Sequence, residues 1–438
     1  MPITVFVTDG NQRPALSIVR ALGRRGITVI VGEDRKASLA GSSRYCARQV
    51  TYPSPYDDSD AFDRFLRSFV PREQIDVLMP VTDVTTHAVC RNQEHLKRHC
   101  RLAVPPFEAF DLVTNKARLL EYAGRCGVPV PRTHVVDGRA GLSEVIDRVR
   151  YPAVVKPVQS RTRTSEGWLL GSAHYAHSRA ELEQLFDKHV YLASHPSLIQ
   201  ERIVGPGVGM FGLFDRGRLV AEFSHRRLRE KPPAGGASVL SESLPVDPRL
   251  REFAVRMLGP IGWHGVAMME YKQDRRTGEL VLMEVNGRFW GSLELAVEAG
   301  VDFPHLAFQL ARGIRPGAAP QYHLGVKNRW VLGDLDHLVL RLCRSADALD
   351  LPDGAPSTAR ALLDFLKIFE PKLHYEVISG TDWRPFVCEL RHYLRGLVRA
   401  VRPSDQRRPA KPAIPALAGR ETAARLAACP ELSRGVEP

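Results

Sequence analysis

The sequence predicts a composite fold class: α/β at the N-terminus, α+β through the middle, and a helical extension at the C-terminus. Three observations predict it. Strand and helix signals alternate over the first ~105 residues, as in a parallel, Rossmann-like α/β unit. Two hairpin patterns follow in the middle of the chain, the mark of antiparallel strands. From about Lys327 the apolar residues recur at helical spacing instead.

In the first unit, Ile3–Thr8 reads as a strand, Asp9-Gly10-Asn11 as a turn, and Pro14–Arg25 as a helix with Ala15, Ile18, Val19 and Leu22 on one face. Ile27–Val31 and Val77–Val81 are further strands; Ala61–Phe69 and Val84–His95 are helices. The loop Thr8–Gln12 stands where a Rossmann unit binds phosphate, but it lacks G-x-G-x-x-G, which argues against a dinucleotide. A helix over Ala109–Cys126, closed by Gly127, leads to a second region with strands at Val154–Pro157 and Pro196–Ile203. The first hairpin joins Val208–Phe214 to Arg218–Arg226, and the second joins Val266–Lys272 to Leu280–Asn286 through Thr277-Gly278. Leu293–Ala299 and Pro304–Gly313 are helical, as are Leu335–Cys343, Thr358–Phe369 and Pro385–Val401. The expected divisions are 1–107, 108–195, 196–326 and 327–401, with a proline-rich tail at 402–438 expected to be disordered.

Bulk properties narrow the function. A chain of 438 residues needs more than one core. With 44% hydrophobic and 25% charged residues, it reads as a globular enzyme. No stretch of about 20 uncharged apolar residues exists to span a membrane. The N-terminus reads as a strand, not a signal peptide. The seven cysteines are scattered without a C-x-x-C pair, so neither a disulfide framework nor a zinc site is expected, and a reducing cytoplasm is the expected location. The formal charge of +12 is spread along the chain without an aromatic and basic reader motif. Anionic small molecules are therefore the expected partners, not nucleic acid.

The segment Leu282-Met283-Glu284-Val285-Asn286-Gly287-Arg288 carries the strongest chemical signal, preceded by Glu270 in Met268-Met269-Glu270-Tyr271. A hairpin folded about Thr277 places Glu270 opposite Glu284, and strand alternation puts Asn286 on the same face. Opposed carboxylates repel unless a cation lies between them, and hard oxygen donors suit magnesium. An exposed acidic strand face is the competing explanation, but the apolar flanks Val281, Leu282, Met283 and Val285 argue against it.

Lys156 ends the apolar run Val154-Val155-Lys156-Pro157, and Lys116 follows Thr114-Asn115 in the first turn of a helix. Each is a point charge suited to phosphate. The basic stretch Ser160–Gly167 has the position of a lid over a triphosphate, or of a plain surface loop. Ile199-Gln200-Glu201-Arg202-Ile203 is a strand end able to present its backbone to a base. The run His225–Pro233 and the glycine loop after it offer Arg226, Arg229 and Ser238 for a carboxylate, with a solvated basic loop as the competing explanation.

The order of Lys116, V-V-K-P, the Gln200–Ile203 hinge, a glutamate strand and E-V-N-G-R resembles the ATP-grasp superfamily, in particular its carbamoyl-phosphate-synthase-like, carboxylate–amine ligase branch. The resemblance spans about residues 1–315. It implies a pre-grasp domain followed by two subdomains that clamp ATP. It further implies that Lys116 and Lys156 contact phosphates and that Gln200, Glu201, Arg202 and Ile203 hold the adenine. Glu270, Glu284 and Asn286 would hold magnesium (or manganese), and Arg288 would steady the transferring phosphoryl group. The segment Val158–Gly167 departs from the family's glycine-rich lid, having one glycine and two arginines.

The expected reaction joins a carboxylate to an amine through an acyl phosphate. A phosphotransferase on the same fold and a non-catalytic ATP-binding module are the alternatives. The last helix has an apolar stripe through Phe386, Leu390, Leu394 and Leu397 with Arg391, Arg395 and Arg399 largely off it. Such a helix either packs on the enzyme or lies on an anionic membrane.

Overall fold

The computed structural model describes residues 3–401 apart from 160, 165, 166, 172, 234, 316, 318–320, 352 and 353. For 161–164, 167–170, 347 and 398–401 it describes the backbone alone. The tail at 402–438 lies outside the described residues, as do positions 160, 165 and 166 of the expected lid.

The N-terminal strands Thr4–Val7, Thr28–Glu33 and Val77–Met79 carry near-continuous β-branched and apolar runs, and they sit side by side at the centre of a parallel sheet. Burial on both faces explains the runs. The edges are Arg48–Thr51 and Arg101–Leu102, short strands with exposed arginines and no apolar run to reveal them. The loop after the first strand is closed by its own polar network. Asp9 adopts φ 58°, and its buried carboxylate accepts from Thr8 Oγ1 at 2.6 Å, Thr85 Oγ1 at 2.5 Å and Thr82 N at 3.0 Å.

The helix expected over Ala109–Cys126 is two helices, Phe107–Thr114 and Lys116–Arg125. Asn115 between them is extended, and its side chain caps the second helix by accepting from Arg118 N. A capping side chain that competes with helical hydrogen bonding favours this break. It leaves Lys116 at the first position of its helix.

A four-stranded antiparallel sheet follows, ordered His174–Ala176, Ala153–Pro157, Pro196–Glu201, Thr133–Asp137. Val136, Val155, Leu182, Phe186 and Ile199 give it a core of its own. Between its strands, the lid region forms a separate hairpin of Arg161–Thr164 against Gly167–Leu170.

The third sheet has seven strands, in the order Leu280–Asn286, Gly265–Gln273, Gly207–Asp215, Arg218–Lys231, Ala237–Leu244, Lys327–Arg329, Leu373–Tyr375. Its last pair is parallel and the rest are antiparallel. The C-terminal extension thus contributes the helices Val331–Cys343, Thr358–Phe365 and Arg384–Val401 and two short strands. One core runs from Val5 of the first sheet and Ile18 of the helix Arg13–Gly23 through Phe211, Phe223 and Trp290 to Trp330 and Tyr393 of the extension. Phe386, Leu390 and Leu397 of the last helix pack against that core, while Leu394 is half-exposed. No described helix is long and apolar enough to cross a membrane.

Candidate functional site

A cleft of about 1110 Å³ lies where the small sheet faces the seven-stranded one, with the first unit and the extension on its rim. The hairpin Gly265–Gln273/Leu280–Asn286 forms its floor. Near its turn, Lys272 pairs with Val281; a bulge at Met283 then shifts the register by one residue and sets Glu270 opposite Glu284. Asn286 Nδ2 donates to Glu270 Oε1 at 3.1 Å and to Glu284 Oε1 at 3.2 Å, so all three side chains meet at one point.

The pair is electrically asymmetric. Burial pushes the Glu284 carboxyl up, but Lys116 and Lys156 overcome this and hold it down at about 2. Lys116 Nζ lies 3.3 Å from Glu284 Oε2. Burial also pushes Glu270 up; Arg227, ion-paired to it, opposes the shift, and Glu284 reinforces it. Lys156 lies one residue from the end of its strand and faces the cleft. Burial, then the neighbouring Lys116, lower its ammonium to about 8.

At the hinge, Gln200 is buried and donates to Thr133 Oγ1 at 2.8 Å. The Glu201 carboxylate accepts from Arg132 N at 3.0 Å. Arg202 donates to Asp350 O at 2.8 Å and lies 4.6 Å over the Tyr175 ring. Ile203 is buried, with its carbonyl accepting from Lys272 Nζ at 3.3 Å. All four line the cleft. Arg288 binds Asp83 Oδ2 through Nε at 3.1 Å and Asn286 Oδ1 through Nη2 at 3.1 Å, which fixes its guanidinium beside the carboxylates.

A family model described as "ATP-grasp in the biosynthetic pathway with Ter operon" matches residues 197–333, which contain the hinge end, the carboxylate hairpin and Arg288. Solved structures resemble much more of the chain. An L-amino acid ligase from Bacillus licheniformis aligns at 20% identity and TM-score 0.55, over 72% of this chain and 75% of its own. The biotin carboxylase domain of a Hydrogenobacter thermophilus 2-oxoglutarate carboxylase, in complex with MgADP, ADP and bicarbonate, aligns at 15% and 0.59, over 74% and 73%. A Staphylococcus aureus N5-carboxyaminoimidazole synthetase aligns at 13% and 0.57, over 74% and 81%. The fold is ATP-grasp. No curated protein matches the sequence.

At the far wall of the ATP-grasp cleft, strand alternation decides which basic residues face inward. His225 is buried, and Arg227, Arg229 and Lys231 are largely covered, whereas Arg226 projects outward, half-exposed, onto Glu242 at 2.6 Å. Arg226, one of the candidates from the sequence, is therefore not among the residues that line the cleft. Arg229 does line the cleft, but it is held in a two-pronged pair by Asp334, with both contacts at 2.6 Å. Ser238 also lines it, its Oγ 3.4 Å from Leu240 O.

Arg227 is the residue that sequence reasoning missed. It pairs with Glu270 and, at 3.0 Å, with Glu230. Counting in twos from Arg229 along the strand would have found it. The two carboxylates supply the hard oxygen donors that a divalent cation takes; the Asn286 N–H group bridges them here, and its amide must turn to offer Oδ1 to such an ion. Among the described residues, no group of three or more His, Cys, Asp or Glu side chains could hold a metal. A cation here would draw its remaining ligands from nucleotide and water, as magnesium commonly does.

Proposed function

We propose that this protein is an ATP-dependent ligase that activates a carboxylate as an acyl phosphate and passes the acyl group to an amine. The observation that carries this reading is the meeting of Glu270, Glu284 and Asn286 with Lys116 and Lys156 in one cleft. Glu270, Glu284 and Asn286 would hold magnesium, which neutralises phosphate charge when bound.

In this reading Lys156 and Lys116 hold the phosphates of ATP, and the hinge Gln200–Ile203 holds its base. A substrate carboxylate oxygen attacks the γ-phosphorus, and the bond to the bridging oxygen breaks as ADP leaves. Arg288 faces the charge that develops on the transferring group, and its pairing with Asp83 and Asn286 holds it in place beforehand. The amine nitrogen then attacks the acyl carbon, the acyl C–O bond breaks with its oxygen kept on phosphorus, and phosphate and a proton are released. The solved relatives named above include an L-amino acid ligase and a carboxylase domain bound to MgADP, which supports nucleotide chemistry in this cleft.

A screen of ADP release over carboxylates crossed with amines tests the proposal. It expects release that depends on both substrates and a stoichiometric amide product. A stable phosphorylated product formed without amine would instead identify a phosphotransferase. ATP binding without release under every pairing would identify a non-catalytic module.

A further inference from the structure

The extension does more than pack on the back of the molecule. Its helix Val331–Cys343 presents His337 and Arg341 to the cleft that holds Glu284. Most cations on that wall are neutralised within the protein. Arg229 and Arg329 share Asp334, Lys327 binds Glu370, and Lys367 binds Asp364.

Arg341 differs. It is only 7% exposed, its Nη2 donates to Pro356 O, and among the described residues no carboxylate lies within ion-pair distance of it. A guanidinium has five N–H donors and cannot shed its charge. Shielding such a group from water without a counter-ion is costly. Beside it, His337 Nδ1 lies 2.6 Å from Glu230 O and so carries the hydrogen, leaving Nε2 as an acceptor. Burial above all, with the adjacent arginines, lowers the pKa of this ring against the opposing pull of Glu230 O and Asp334.

We propose that Arg341 binds a second anionic group, a carboxylate or a phosphate, on the non-nucleotide substrate. The extension would then select the substrate while the floor of the cleft activates it. This rests on the reading of the cleft as a carboxylate-activating site. The class of substrate it names is a molecule with one carboxylate to be activated and another oxyanion at its far end.

The test uses the full chain with magnesium and a non-hydrolysable ATP analogue, titrated with succinate, inorganic phosphate or acetate while thermal stability is followed. Wild type is expected to show a saturable rise with succinate, with phosphate, or with both, and none with acetate; the arm that saturates identifies the oxyanion. Arg341→Gln, which keeps a donor for Pro356 O, should weaken that response at least tenfold without changing affinity for the ATP analogue. Arg341→Lys, which restores the charge, should recover part of it. An unchanged titration in Arg341→Gln, or no saturation in wild type with either anion, overturns the proposal. The titrations are repeated without nucleotide. Failure of wild type to bind the ATP analogue would remove the ligase reading and leave the Arg341 comparison standing as a separate result.

Discussion

Glu270 and Glu284 face each other across adjacent strands, yet they answer to different cations: Arg227 takes the first and Lys116 the second. Two like charges this close are held by the groups around them, so altering one partner changes the character of the whole pair.

Glu284→Gln removes the carboxylate on which both lysines converge. A metal contributes several kcal/mol of charge stabilisation, so ADP release should fall by roughly two to three orders of magnitude. The magnesium concentration for half-maximal rate should rise, with circular dichroism unchanged. Near-normal turnover at low magnesium would reject the metal assignment.

Lys156 gives a pH signature. Its ammonium titrates at about 8 in the free protein. Bound phosphate stabilises the charged form, so above that pH binding must take up a proton. Affinity for a non-hydrolysable ATP analogue should therefore be flat below pH 8 and weaken above it, by up to about tenfold per pH unit. Lys156→Ala should bind more weakly, by ~1–3 kcal/mol, and lose this pH step. Calorimetric titration across the range measures both, and an identical pH step in the variant would show that another group titrates.

Arg227→Met leaves Glu270 without its cation. The pair is part-buried, so breaking it from one side costs less than the ~3–5 kcal/mol of a fully buried pair, and a fall in melting temperature is expected. Adding Glu270→Gln should restore part of the loss, since the unpaired charge is then gone. Strictly additive losses in the double variant would show that the two residues are not coupled.

Truncation after Gly380 removes Asp382, a buried carboxylate that accepts from Arg20 Nε at 3.0 Å and from Ser43 Oγ at 2.7 Å. It also uncovers the core surface under Phe386, Leu390 and Tyr393. The truncated chain should melt at lower temperature and bind a hydrophobic dye. Full-length protein, with that stripe already covered, should not co-float with anionic vesicles at low salt. A stable truncated chain alongside vesicle binding by the full chain would favour a membrane role for the helix.

The parts of the site legible in the sequence are those governed by local periodicity. The Glu270–Glu284 pairing follows from strand alternation around a turn, even though the real hairpin closes half a residue earlier and the bulge at Met283 makes up the difference. Arg226 and Arg227 are alike as guanidinium groups in the run His225–Pro233, and only the strand face, Arg226 outward and Arg227 on Glu270, separates them. The break at Asn115 was hidden because the apolar pattern continues on both sides, while a single capping side chain interrupts the backbone. The role of the extension depends on contacts between residues far apart in sequence. Arg13 stacks 3.9 Å over Trp330 and pairs with Glu376, and Leu373–Tyr375 joins the large sheet at its edge. Nothing in the local pattern of Leu373–Tyr375, three half-buried residues, marks such a strand.

The central claim is that a substrate carboxylate takes the γ-phosphoryl group of ATP in this cleft. Its most direct test labels the carboxylate of an active substrate pair with oxygen-18 and follows the label by mass spectrometry of the released phosphate. An acyl-phosphate route predicts one labelled oxygen in each phosphate, because the attacking oxygen leaves with phosphorus when the amine displaces it. Unlabelled phosphate, formed at the same rate as the amide, would contradict the account.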